Sequence, residues 1–112
     1  MSLDVYLVMF VDTGAPEPHR VQLANMNITH NVSPMWRLVG VRDALYESEG
    51  KTAGEVLTDL RQGLERMRAC IDECRALNPE NGWGNADDAL AWLEDWIALC
   101  ERHPKATIEV WA

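Results

Sequence analysis

Apolar residues alternate with polar ones near both ends of the chain and recur at helical spacing between them. Over 3–11, Leu3, Val5, Leu7, Met9 and Val11 interleave with Tyr6, Val8 and Phe10. Apolar residues on both sides predict a strand that lies centrally in its sheet or is covered on both faces. Asp12-Thr13-Gly14-Ala15-Pro16-Glu17-Pro18 then breaks the pattern, as a surface connection does. A second strand is predicted over 20–29, where Val21, Leu23, Met26 and Ile28 stand without Gly or Pro. Its apolar positions switch from odd to even numbers near Ala24, which predicts a bulge or a change of covering face. That switch turns Asn25 and Asn27 away from Met26 and Ile28. Alternation returns over 106–111, with Ile108 and Val110 opposite Thr107, Glu109 and Trp111 as a closing strand.

Three helices are predicted in between. The first starts at Ser33-Pro34, where Ser accepts from a free backbone N–H and Pro lacks a donor that had no partner anyway. It runs over 34–46 on Leu38, Val41 and Leu45, weakened by roughly 1 kcal/mol at Gly40. Thr52 and Glu55 form a capping box for the second, over 53–77, whose stripe is Leu57, Leu60, Leu64, Met67, Ile71 and Cys74. Asn78-Pro79 ends it. Asn85 or Asp87 caps the third, over 86–102, which buries Ala89, Leu93, Trp96, Ile97 and Cys100 with Trp92 beside them, and His103-Pro104 stops it. Clustered rather than alternating elements predict an α+β fold: a small three-stranded antiparallel or mixed sheet packed by helices in one domain, 1–112.

Composition narrows the function classes. With 112 residues, 47% of them hydrophobic, the chain can build one core of ordinary size. No apolar run is long enough to span a bilayer and no basic region precedes the first apolar run, so a cytoplasmic protein without membrane contact is expected. Three cysteines argue for reduced thiols rather than a disulfide framework. A net charge of -8 argues against nucleic acid, whose phosphates need clustered Lys and Arg. Mimicry of DNA is also disfavoured, because Arg37, Arg42, Arg61, Arg66, Arg68 and Arg75 interrupt the acidic residues.

Two stretches carry candidate chemistry. Asn25, Asn27, Thr29, His30 and Asn31 place amides, a hydroxyl and an imidazole at a strand's end, ahead of a helix N-terminus that suits an anion or polar ligand. The same side chains serve equally to satisfy the corner, with Asn31 or Ser33 as cap and His30 on a backbone carbonyl, and that reading comes first. Asn81-Gly82-Trp83-Gly84 sets an indole between glycines, either to cover a ligand or anchor a partner, or to plug the core, which is the expected role. Cys70, Cys74, Cys100 and His103 have ligand types that suit zinc, yet the cysteines fall within apolar stripes and no Cys-x-x-Cys is present, so no metal and no cofactor is assigned. Catalytic signatures are missing: there is no Gly-x-Ser-x-Gly, phosphate loop or His-Glu-x-x-His. Asp12, Glu47 and Asp87 are carboxylates near element ends that could meet His30, although nothing in their spacing requires it.

Ile28-Thr29-His30-Asn31, taken with Asn78-Pro79-Glu80-Asn81-Gly82-Trp83-Gly84, resembles a family of small bacteriophage and bacterial proteins of uncharacterised function. The resemblance extends from about Gln22 to Ala106-Thr107-Ile108-Glu109-Val110 and implies a phage-related origin without implying a mechanism. The chain departs from that family in its N-terminal extension and in Trp36 and Arg37. The expected function is therefore a non-enzymatic accessory protein that binds a protein of host or phage. The alternative is a small-molecule site or small enzyme built from Asn27, Thr29, His30 and Asn31 with Asn81 and Trp83 as a lid. A homodimer that absorbs surplus apolar surface is a third expectation.

Overall fold

Alternation produces strands at each of the expected places. In the computed structural model, which describes residues 1–112, β1 (Ser2–Val11) pairs antiparallel with both β2 (His19–Thr29) and β3 (Thr107–Trp111), giving the order β2-β1-β3. Leu3, Val5 and Leu7 stand opposite Ile28, Met26 and Ala24, and Val5 and Leu7 opposite Val110 and Ile108. These residues make the inner face of the sheet, packed into one buried cluster with the helices. Leu7 pairs with Ala24 and Val8 with Gln22, so Leu23 is the extra residue of a bulge. That bulge is the cause of the odd-to-even switch. The central position expected for β1 is correct, but helices cover only one face. Val8 is nevertheless fully buried on the other face. The register sets it between Arg20, at the level of Phe10, and Glu109, at the level of Tyr6, and Arg20 bonds bidentately to Glu109 at 2.6 and 3.1 Å.

Five helices form rather than three: α1 (Ser33–Leu38), α2 (Arg42–Tyr46), α3 (Ala53–Ala69), α4 (Ile71–Arg75) and α5 (Ala86–Arg102). The helix expected over 34–46 is cut at Gly40, whose φ of 74° is left-handed. Gly40 N–H donates to Arg37 O at 3.2 Å and Val41 N–H to Trp36 O at 2.9 Å, the paired bonds of a Schellman termination. The two positions whose apolar side chains accompany such a stop, Val41 and Trp36, are both buried, while Leu38 is half exposed. Arg66 of α3 completes the stop by donating to Val39 O at 2.7 Å. The helix expected over 53–77 bends at Cys70, where φ −120° and ψ 35° separate α3 from α4, and nothing in the local residue types explains the bend. α5 has the expected bounds, with Asn85 as its cap: Asn85 Oδ1 accepts from Asp88 N–H at 2.8 Å.

Trp36, Trp92 and Trp96 lie at the centre of the helix layer, with ring centroids 5.9 and 6.4 Å apart. Of the two glycines within a helix, Gly54 and Gly63, Gly63 makes the tighter contact: a Cβ there would lie 2.7 Å from Val41 Cβ. The outer edge of β3 is covered by the turn before α3. Gly50 N–H donates to Ile108 O at 2.9 Å, Ile108 N–H to Lys51 O at 2.8 Å, and Glu49 Oε1 accepts from Val110 N–H at 2.9 Å. No helix is long and apolar enough to cross a membrane.

The β1–β2 hairpin projects from this body. Every residue from Met9 to Arg20 is exposed, and the molecule measures 53 × 27 × 18 Å. Its radius of gyration of 15.0 Å exceeds the roughly 13 Å of a compact chain of this length, as a projecting arm requires.

Gly63→Ala tests the α3–α2 contact, because two effects oppose each other there. Alanine favours a helix interior by about 1 kcal/mol, whereas overpacking costs about 1–3 kcal/mol. Val41 is fully buried and cannot yield freely, so the substitution is expected to destabilise the protein in urea unfolding rather than stabilise it.

Candidate functional site

The corner between β2 and α1 is built on a hydroxyl from elsewhere in the chain. Thr29 ends β2, and its Oγ1 accepts from Asn31 N–H at 3.3 Å, which starts a single 3-10 turn over His30–Val32. Ser33 is the first residue of α1 and not its cap; Val32 precedes it with no side-chain bond. Ser33 Oγ instead lies 2.9 Å from the Tyr46 hydroxyl, and His30 Nδ1 lies 2.8 Å from the same oxygen. The expected roles, Asn31 or Ser33 as helix cap and His30 on a carbonyl, are thus replaced by Thr29 as cap and Tyr46 as the shared partner. A tyrosine hydroxyl donates only once, so one of its two neighbours donates to it. The Arg42 guanidinium lies over the Tyr46 ring, 4.7 Å from its centroid.

The tryptophan loop packs directly on this corner. Asn31 Nδ2 donates to Trp83 O at 3.2 Å, and Gly84 approaches so closely that a Cβ would lie 2.7 Å from Thr29 Cγ2 and 2.9 Å from Val32 Cγ1. Gly84 also has a φ of 92°, so both conformation and space require glycine. Within the loop Asn81 Oδ1 accepts from Trp83 N–H at 2.9 Å, and Asn78 Oδ1 accepts from Ala86 N–H at 2.8 Å. Trp83 is 71% exposed, which corrects the expectation that it plugs the core. Trp92 does pack inward, and its Nε1 donates to Asn27 O at 2.8 Å, closing that end of the β2 edge.

The candidate residues therefore have separate surroundings. Asn31 meets Trp83 and Thr29 meets Gly84; His30 is held by Tyr46, Asn81 serves its own loop, and Asn27 is on the open face of the sheet. His30 borders a concavity of about 280 Å³ with Met1, Ser2, Asp4, Trp111 and Ala112. Trp83 borders none of the five concavities on the surface. Asp12, Glu47 and Asp87 bond to Gly14 N–H, Arg42 and Arg75 respectively, not to His30. The Arg75 guanidinium holds the Asp87 carboxyl below its usual value.

The largest concavity, about 790 Å³, was not singled out from the residue pattern. It lies on the open sheet face between Tyr6, Arg20, Gln22, Glu49, Glu109, Val110 and Trp111. Strand alternation carries a signal for it, since Tyr6, Glu109 and Trp111 all fall opposite the core positions. Its centre is occupied by the Arg20–Glu109 pair, with the Arg20 guanidinium 5.7 Å from the Tyr6 ring centroid.

Cys70 and Cys74 bring their sulfurs to 4.0 Å, but no group of three or more His, Cys, Asp or Glu side chains is arranged to hold a metal ion. Burial pushes the Cys74 thiol up to about 11 and the Cys100 thiol up to about 12, from an ordinary 9.0.

Neither models of protein families, nor curated proteins, nor solved structures give a match to this chain.

Tyr46→Phe is expected to destabilise the protein by about 1–2 kcal/mol in urea unfolding, since two half-buried groups lose one partner. Tyr6→Phe, which leaves the corner untouched, should change stability by much less. For the thiols, an acid whose folded value is raised stays protonated after the unfolded chain has ionised. Stability should therefore fall as pH rises above about 9, continuing towards the folded values of about 11 and 12. In a thiol-titration assay of the folded protein, Cys70, half-buried, should react before Cys74 and Cys100, which should need unfolding.

Proposed function

We propose that the protein is a non-enzymatic accessory protein that acts by binding another protein, with Trp83 as the anchor. The observation that carries this reading is a tryptophan that is 71% exposed on a loop whose backbone is tied down on both sides. Trp83 N–H is held by Asn81, Trp83 O by Asn31, and Gly82 and Gly84 take left-handed φ values of 76° and 92°. A large aromatic group already fixed in place loses little freedom on binding, and tryptophan is among the residues that dominate interface energies. The phage-related origin implied by the resemblance makes a host or phage protein the partner.

A small-molecule pocket or small enzyme between the corner and the loop has weaker support. The two segments touch, but the contact is closed by Gly84 against Thr29 and Val32, and Trp83 lines none of the concavities. His30 has a tyrosine beside it and not an activating carboxylate.

Affinity capture from host lysate, with and without phage infection, tests the proposal on the full chain. The wild-type protein should retain a partner that Trp83→Ala releases, with affinity reduced at least about tenfold, equivalent to ~1.4 kcal/mol. Trp111→Ala, which removes an equally exposed indole from the open sheet face, should leave that partner bound. Recovery of no partner, or equal recovery by the wild type and Trp83→Ala, would refute the reading; unchanged thermal unfolding of both variants guards against misfolding.

A further inference from the structure

Three stretches of strand edge in the sheet are treated differently. The outer edge of β3 is covered by Glu49, Gly50 and Lys51. The outer edge of β2 is blunted by the Leu23 bulge and closed near Asn27 by Trp92. The third is internal: β3 pairs with β1 only from Asp4 to Val8, so Met9, Phe10 and Val11 have β2 on one side and a vacant backbone edge on the other. Their side chains are 39%, 52% and 45% exposed, with Leu23 a further 39%. An apolar strand edge without a proline, lysine or bulge is a template for another strand.

We propose that this edge is the interface of a homodimer, in which Met9–Val11 of two copies pair antiparallel about a two-fold axis near Phe10. Charge complementarity favours a second copy as the occupant. Beside the vacant edge is a concavity of about 360 Å³ lined by Met9, Leu23, Arg102, His103, Pro104, Lys105 and Ala106. Arg102, His103 and Lys105 make no ion pair within the chain and lie together there; Arg37, Lys51 and Arg66 also lack one but lie elsewhere, whereas Arg20, Arg42, Arg61, Arg68 and Arg75 are all paired. The strand that ends at Val11 continues directly into Asp12 and, past the turn, Glu17, both exposed and outside any ion pair. With Met9 opposite the second copy's Val11, Asp12 emerges where β3 begins, beside the 102–106 segment of the other copy. Each copy thus offers an acidic tip to a cationic rim, twice per dimer, which is the self-complementarity of an isologous interface.

The dimer does not depend on what Trp83 binds. It does affect how Trp83 is presented. The β1–β2 ladder runs from Ser2 and Thr29, beside the Trp83 loop, to Val11 and His19 at the hairpin end, a span of roughly 30 Å at strand rise. Pairing at the hairpins puts the two Trp83 loops at the far ends of the dimer, facing separate partner sites.

Sedimentation equilibrium of the full chain over a range of concentrations is the test. The wild type should show a concentration-dependent mass approaching twice its 12.7 kDa. Phe10→Asp should weaken association at least about tenfold while circular dichroism and thermal unfolding stay unchanged, as befits a half-exposed side chain. Arg102→Glu with Lys105→Glu should weaken it as well, and adding Asp12→Lys and Glu17→Lys to that variant should restore it. Phe10→Cys should give a covalent dimer under mild oxidation, because residues facing each other across antiparallel strands have Cα atoms about 4.5–5.5 Å apart. A monomer at every concentration would overturn the proposal, and so would a dimer insensitive to Phe10→Asp.

Discussion

The fold depends on the burial of one face of β1. Leu3, Val5 and Leu7 are fully buried, and each is matched across the sheet by a residue of the core cluster or one packed against it. A three-stranded sheet needs a layer on at least one face for stability, and the helices provide one only. The opposite face must then be polar or be covered by its own side chains. Tyr6, Asp4, Asn25 and Glu109 follow the first route, and the Arg20–Glu109 pair that roofs Val8 follows the second. Where β1 runs past Val8 neither device is present: its neighbour β3 has ended and the apolar residues are exposed.

The polar stretch that looks most like a site is largely occupied by the demands of turning the chain. Thr29 caps a 3-10 turn, His30 and Ser33 share one hydroxyl, and Asn31 holds the loop carbonyl that brings Gly84 down on Thr29. Each of these groups would otherwise lose hydration at the edge of the core without a replacement bond. The one group in the assembly with no such duty is the Trp83 indole, held from its backbone and left facing outward. Function is therefore better sought in that aromatic group than in the histidine.

Local chemistry was readable from the residues wherever a local rule decided the outcome. The bulge in β2 follows from a period-two pattern that shifts by one, and the start of α5 follows from Asn85. The cut at Gly40 was only half readable. A glycine weakens a helix, but it ends one here because Gly40 and Val41 make the paired Schellman bonds, with Val41 and Trp36 buried, and Arg66, from a different helix, donates to Val39. Tyr46 as the partner of His30 depends on how α2 is placed after that cut, so no spacing rule could find it. A glycine-flanked tryptophan reads alike whether it turns in or out, so the residues alone do not place Trp83; its loop is positioned by a tertiary contact, the close seat of Gly84 on Thr29 and Val32.

The two exposed apolar features differ in what they can recognise. Trp83 is a single aromatic group on a loop whose own polar atoms are satisfied, so it offers area and an indole N–H but no backbone donors or acceptors. Met9–Val11 offers side chains and a vacant backbone edge together, beside cations that the rest of an acidic chain has not neutralised. A lone anchor suits a pocket on a foreign surface, whereas a strand edge demands another strand in register, with matching charge at its end. The hairpin carries such a strand and such an end in the same three residues and the turn that follows. On the proposed reading the arm is the more self-sufficient interface, and the opposite end of the sheet is left for the partner proposed for Trp83.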